Sequence, residues 1–163
     1  MATTGYRYLH TTTKTPQQSA SEMMQVLCLL GASNITMDYK DGEPSGMTFH
    51  VVMGEKTFSY RIPVRIDTIY EEMKREAHKK RSKIPWLERE KRALEQAKRT
   101  AWRLSFDWLR VQCAFVQNGV RTAAEVFLAD MVVPNGEGQL STVGVEFLKH
   151  QAFPALPAPK EVP

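Results

Sequence analysis

Apolar residues first recur at helical spacing shortly after residue 15. Thr15, Pro16 and Gln18 form the arrangement of a helix N-terminus, with an N-cap, a first-turn proline and a capping-box partner. Gly31 supplies a stop signal. The pattern predicts a helix over 16–30, and its apolar stripe consists of Met23, Met24, Val26, Leu27 and Leu30.

The apolar period then shortens to two, which is typical of half-buried strands. The predicted inward faces of the three runs are Ile35, Met37 and Tyr39; then Met47, Phe49, Val51 and Met53; and then Phe58, Tyr60, Ile62 and Val64. The alternate positions are mostly polar, and turn sequences at 41–46 and 53–56 separate the runs. This pattern predicts a three-stranded antiparallel meander with one solvated face.

A long segment without Gly or Pro dominates the second half of the chain. It runs from Trp86 to Gln117, and Asn118-Gly119 closes it, so it predicts a helix of about 48 Å. A shorter helix over 68–80, capped by Asp67, is expected before it.

Weaker signals follow the long helix. Thr122 and Glu125 form a second capping box for a helix over 123–130, and Val132-Val133 indicates a strand before the turn at 134–138. Residues 141–149 indicate a last helical turn or two.

Two apolar stripes lie on the long helix, about 140° apart at 100° per residue. The first, expected to face the sheet, consists of Ala97, Ala101, Leu104, Trp108, Val111 and Phe115. The second consists of Trp102, Phe106, Leu109, Cys113 and Val116. A helix that is apolar on two faces must be covered twice. Either residues 123–153 cover the second stripe, or it is an interface for a homodimer or for another protein.

The formal net charge of +4 hides an uneven distribution. Residues 74–110 carry thirteen basic and five acidic side chains, and five arginines of the long helix fall within about 80° of one another. A one-sided basic band beside a basic loop is typical of phosphate-backbone binding. The candidate nucleic-acid contacts are Lys79, Lys80, Arg81, Lys83, Arg89, Arg92, Arg99, Arg103 and Arg110, together with Arg61 on the solvated sheet face.

Two other interpretations of the basic band stay open: a solvated charged face, and a site for an acidic protein. Tyr6, Tyr8 and His10 alternate near the N-terminus and favour single strands, because aromatic side chains stack on exposed bases. They would equally suit an added edge strand.

Motifs for chemistry are missing from the sequence. It holds no phosphate-binding glycine loop, no His-Glu-x-x-His and no Gly-x-Ser-x-Gly elbow. We therefore expect no enzymatic activity, no catalytic residues, no cofactor and no metal.

The compartment is expected to be the cytoplasm. The apolar run Val26–Leu30 is far shorter than the roughly 20 residues that a membrane-spanning helix needs, and the N-terminus lacks the order of a secretory signal. Cys28 and Cys113 lie in apolar helical patterns and are expected to be buried and reduced.

A recurring set of positions in the C-terminal half consists of Trp102, Arg103, Trp108, Gln112, Gly119, Phe127, Leu128, Pro134 and Gly136. With these positions, and with the order of its elements over most of its length, the chain resembles small uncharacterised proteins encoded by bacteriophages and prophages. Most of these positions hold packing or capping residues. The resemblance implies a phage origin and a small cytoplasmic accessory protein of a bacterial host. It carries no catalytic residues over to this chain.

Together these patterns predict an α+β protein, in which the meander packs on the N-terminal helix and one long helix, with a short C-terminal helical segment. The expected organisation is an arm over 1–14, one domain over 15–153 with a basic linker at 79–85, and a Pro-rich tail over 154–163. We expect a non-enzymatic phage accessory protein that binds nucleic acid. The alternative is an inhibitor of a host system or a phage assembly component that binds protein through an apolar helix face.

Overall fold

Five helices and two antiparallel sheets make up residues 10–79 and 81–150, the part of the chain that this computed structural model describes. The order is α1 (Pro16–Leu29), β1 (Ser33–Lys40), β2 (Glu43–Met53), β3 (Lys56–Pro63), α2 (Ile66–Lys79), α3 (Trp86–Gln117), α4 (Ala123–Phe127), a 3-10 turn (Leu128–Asp130), β4 (Val132–Pro134), β5 (Leu140–Thr142) and α5 (Val143–His150). The predicted α+β class, with its meander, long helix and short C-terminal helix, is confirmed.

Local capping chemistry fixes the helix ends where the sequence predicts them. The Thr15 hydroxyl accepts from the Gln18 backbone N–H at 3.1 Å, and the Gln18 side chain accepts from the Thr15 N–H at 2.9 Å. Thr122 and Glu125 form the same reciprocal pair at the start of α4. Gly119, at φ +67°, follows the C-terminus of α3 in the left-handed conformation that glycine tolerates best.

Several predicted boundaries are corrected. α2 begins at Ile66, so Asp67 lies in its first turn and not at its cap. α4 is shorter than predicted and continues as the 3-10 turn. β5 was not predicted, because a three-residue strand shows little alternation. It pairs with β4 across the predicted turn.

The central strand β2 carries the inward face of the main sheet. Its Met47 and Phe49 are fully buried, and Phe49 stacks on Tyr60 of β3 with ring centroids 5.4 Å apart. Phe127 contacts Phe49 edge-on from α4, also at 5.4 Å. The prediction for β1 is wrong at Tyr39, which is 66% exposed, because the pairing register shifts between Asp38 and Tyr39.

The two stripes of α3 exchange the roles that the sequence suggested. Trp102, Phe106, Leu109 and Cys113 are each at most 6% exposed and share one core with α1, the sheet and α4. Val116 is partly buried and packs against the same core. The prediction of these five residues as an interface is therefore wrong, since elements of the same chain cover them.

The first stripe is covered only in its N-terminal half. Ala97 and Ala101 are buried, whereas Trp108, Val111 and Phe115 are 37%, 48% and 41% exposed. The side-chain contacts of Tyr70, Lys74 and His78 of α2 are made with Glu90 and Trp86, in the N-terminal half of α3.

Other expectations have mixed outcomes. Cys113 is buried, and burial raises the pKa of its thiol to about 11. Cys28 is exposed, which corrects the prediction that both thiols are buried.

Residues 1–9, Lys80 and the tail at 154–163 lie outside the described residues, so those parts of the predicted organisation are not placed. Across the described ranges, none of the helices has an apolar stretch long enough to span a bilayer.

The core position of Trp102 yields a stability prediction. Trp102→Ala should lower the free energy of unfolding by about 3–5 kcal/mol, because it opens a cavity between α3, α1 and the sheet. Trp108→Ala, at a partly exposed tryptophan on the same helix, should cost clearly less. Urea unfolding followed by far-UV circular dichroism measures both, and equal losses would contradict the assignment of the two stripes.

Candidate nucleic-acid interface

A partly exposed clamp centred on Glu90 holds α2 and α3 together as a helical hairpin. The Tyr70 hydroxyl donates to Glu90 Oε1 at 2.8 Å, and Lys74 Nζ contacts the same oxygen at 2.7 Å. The hydrogen bond from Lys74, followed by that from Tyr70, lowers the pKa of Glu90. Glu90 is therefore held as a carboxylate that is already engaged within the protein.

Aromatic stacking fixes the end of this hairpin. The His78 ring, in the last turn of α2, stacks on Trp86 at the start of α3, with centroids 3.6 Å apart and an interplanar angle of 27°. The Arg89 guanidinium lies over the same indole at 5.7 Å. These contacts bring the last turn of α2 and the first turn of α3 to one place, which we call the hairpin tip (residues 78–92).

Cations converge at the hairpin tip. A cleft of about 630 Å³ is lined by His78, Lys79, Arg81, Ser82, Lys83 and Arg89. Lys79, Arg81 and Lys83 are exposed, and none of them forms an ion pair with another described residue. Lys80 lies outside the described residues. The cleft therefore presents positive charge that the neighbouring described acids do not neutralise.

The start of α3 adds to this positive potential. Its N-cap is Pro85, which makes no side-chain capping hydrogen bond. The first N–H groups of a helix and the positive end of its dipole favour anions. Glu88 lies in this first turn, but it pairs with Arg92, with Oε1 and Nε 3.0 Å apart.

The end of the N-terminal arm lies close to the hairpin tip. The Gln96 side-chain amide donates to the Thr12 carbonyl at 2.9 Å. His10 shares a second cleft, of about 740 Å³, with Arg81, Arg89 and Arg92. Of the three aromatic arm residues, Tyr6 and Tyr8 lie outside the described part of the chain.

Arg103, which was predicted as a nucleic-acid contact, has a structural role. Its guanidinium pairs with Glu22 of α1, contacts Asp107 at 3.5 Å and lies 4.3 Å from the Phe106 ring centroid. Its side chain is only 18% exposed. Hydrogen bonds from Lys14 and then Arg103 lower the pKa of Glu22. Arg103 therefore links α3 to α1 and is poorly placed to bind a phosphate.

Of the other three predicted arginines, Arg61 and Arg110 lie away from the hairpin tip, whereas Arg99 lies next to Gln96, which lines the second cleft. Arg61 is on the outer face of the sheet, with its Nε 3.3 Å from Asp38. Arg99 contacts Gln96 at 3.4 Å, and Arg110 lies 5.8 Å from the Phe106 ring. Arg110 is exposed, but 21 residues separate it from Arg89, which is about 31 Å of helix. The structure thus brings together Lys79, Arg81, Lys83, Arg89 and Arg92, with Arg99 at the edge of the second cleft, and separates them from Arg61, Arg103 and Arg110.

Sequence reasoning missed two features of the hairpin tip. The stack between His78 and Trp86 joins residues on either side of the linker, and helical periodicity gives no signal for it. The uncapped start of α3 did have a signal, because Pro85 stands where Ser, Thr, Asp or Asn would form a cap.

Arg103 yields a prediction that depends on pH. Arg103→Gln should lower the free energy of unfolding at about pH 7 by on the order of 1 kcal/mol, whereas Arg81→Gln at the exposed tip should leave it unchanged. Because the folded-state pKa of Glu22 is depressed, its stabilising effect is present above the unfolded pKa and is lost as pH falls through the folded value. Urea unfolding at about pH 7 and about pH 3 should therefore show that the difference in free energy of unfolding between the wild type and Arg103→Gln is smaller in acid. The same free-energy difference at both pH values would contradict the pairing of Arg103 with Glu22.

Neither the arrangement of potential metal ligands nor comparison of the chain with known proteins points to a further site. No group of three or more His, Cys, Asp or Glu side chains within residues 10–79 and 81–150 is placed to hold a metal ion. Comparison of the chain with protein-family models, curated proteins and solved structures found no significant match. The resemblance to phage proteins stays a prediction, and function must be inferred from the geometry.

Proposed function

We propose that this chain is a non-enzymatic nucleic-acid-binding protein that contacts phosphates through the hairpin tip. The observation that carries the proposal is the cleft lined by Lys79, Arg81, Lys83 and Arg89. Three of these cations form no ion pair with another described residue, while Glu88 and Glu90 are engaged by Arg92 and Lys74. Phosphates binding there would release counterions without first breaking an internal salt bridge of those three cations.

The aromatic groups at the tip favour single-stranded nucleic acid. His78 and Trp86 form a flat pair beside the cations, and His10 lies in the neighbouring cleft. Stacking surfaces next to backbone-binding cations are the combination that single strands use. We place the protein in the cytoplasm of a bacterial host as a phage accessory protein, on the basis of the sequence resemblance alone.

Removing the unpaired cations tests this proposal. The variant Lys79→Gln/Arg81→Gln/Lys83→Gln should bind a fluorescently labelled single-stranded oligonucleotide at least about 10-fold more weakly than the wild type. The magnitude of the slope of log affinity against log salt should also fall by about two units, roughly 0.7 for each lost contact with a phosphate of a single strand. Fluorescence anisotropy between about 50 and 200 mM salt measures both quantities.

A matched control separates a located site from a general effect of charge. Lys40→Gln/Lys56→Gln/Arg121→Gln removes the same three charges from exposed positions elsewhere and should leave affinity close to that of the wild type. Equal weakening in the two variants, or no binding of DNA or RNA by the wild type at low salt, would overturn the proposal.

A second candidate function is self-association, now moved to a different face of α3. The predicted stripe is core, but Trp108, Val111 and Phe115 leave an exposed apolar row at helical spacing. A contiguous apolar patch of this kind is typical of protein interfaces. A second copy of the chain would cover it by pairing the same row from both molecules.

Light scattering at tens of micromolar tests self-association. If the exposed row forms a homodimer, the wild type should have the mass of a dimer and Val111→Asp should be monomeric. Val52→Asp, at a residue of β2 that is 58% exposed, should remain dimeric. A monomeric wild type would remove this candidate.

A further inference from the structure

An open groove lies between the end of β3, the start of α2, the middle of α3 and the 3-10 turn. Its volume is about 460 Å³, within the range of roughly 300–1,000 Å³ that is typical of small-molecule sites. Ile62, Ile69, Leu104 and Trp108 form apolar walls. The groove thus has the size and the mostly apolar surface of a ligand site.

Two charged residues line this groove. Arg65 is exposed, whereas Asp130 of the 3-10 turn is partly buried. Asp130 forms no hydrogen bond or ion pair with another described side chain, and burial raises the pKa of its carboxyl to about 6. A carboxyl group at an apolar wall without a partner is costly to ionise, and a cation beside it would remove that penalty.

Several charged groups on the elements around the 3-10 turn are engaged with other residues. On α5, Lys149 pairs with Glu146 at 3.1 Å; on α4, Glu125 accepts from Thr122; and on β3, Arg61 contacts Asp38. On α3, Asp107 contacts Arg103. Of the charged residues described, Arg65 is the one that lines the groove with Asp130.

We propose that this groove binds a small molecule that carries a protonated amine on an apolar body. The ammonium group pairs with the Asp130 carboxylate, and the hydrocarbon part packs against Ile69, Leu104 and Trp108. A neutral apolar molecule would leave Asp130 without a partner and bury it further. An anion would face the charge of Asp130 directly.

The groove is separate from the hairpin tip. Arg89 and Leu104 are 15 residues apart on α3, which is about 22 Å of helix. Loss of amine binding therefore says nothing about nucleic-acid binding, and the reverse also holds.

Isothermal titration calorimetry with three matched probes tests the proposal. At about pH 7, 2-phenylethylamine should bind with one-to-one stoichiometry, 2-phenylethanol at least about 10-fold more weakly, and 3-phenylpropanoate not detectably. Near pH 6 the amine should release protons on binding, because the ammonium lowers the pKa of Asp130. Titrations in two buffers with different ionisation enthalpies measure that release.

Variants locate the binding. Asp130→Asn should lower the affinity for the amine at least about 10-fold and abolish the proton release. Asp41→Asn removes a carboxyl at an exposed position elsewhere and should change neither. Asp130→Asn should keep at least the thermal stability of the wild type at neutral pH, because it removes an unpaired, partly buried charge. Equal affinity for the amine and the alcohol, an amine affinity unchanged in Asp130→Asn, or no amine binding at millimolar concentration would overturn the proposal.

Discussion

The packing of one face of α3 determines where the rest of the molecule lies. Trp102, Phe106 and Leu109 pack against α1 and the inward face of β2 and β3, and this contact fixes the direction of a 32-residue helix. Because an α-helix is stiff over this length, anchoring its C-terminal half also sets the position of its N-terminal half. α2 then lies along that N-terminal half, held by the Glu90 clamp, and the hairpin tip forms away from the main core.

Internal pairing decides which of the many cations are available to a ligand. Glu22, Glu88 and Glu90 engage Arg103, Arg92 and Lys74, so these basic side chains contribute to structure within the chain. The net charge of +4 gives no sign of this division, and neither does the helical projection of the arginine band. The tip becomes a candidate binding surface because its cations outnumber the acids that reach them.

Local features of the fold could be predicted from the sequence, and features that depend on distant contacts could not. The capping box of Thr15 and Gln18, the ends of α3 and the alternation in β2 are properties of neighbouring residues. The choice between the two stripes of α3 was predicted wrongly, because Trp108 and Phe115 are as apolar as Trp102 and Phe106. The pairing of Arg103 with Glu22 spans 81 residues, and nothing near Asp130 marks it as part of a groove.

The central claim is that nucleic acid binds at the hairpin tip and not along the whole basic face of α3. The most direct measurement is a titration of ¹⁵N-labelled protein with a short single-stranded oligonucleotide, followed by amide chemical shifts. The largest changes should fall within residues 78–92, with little change at Arg103, Arg110 or Arg61. Changes centred on the C-terminal half of α3 or on the outer face of the sheet, or no changes at all, would contradict the claim.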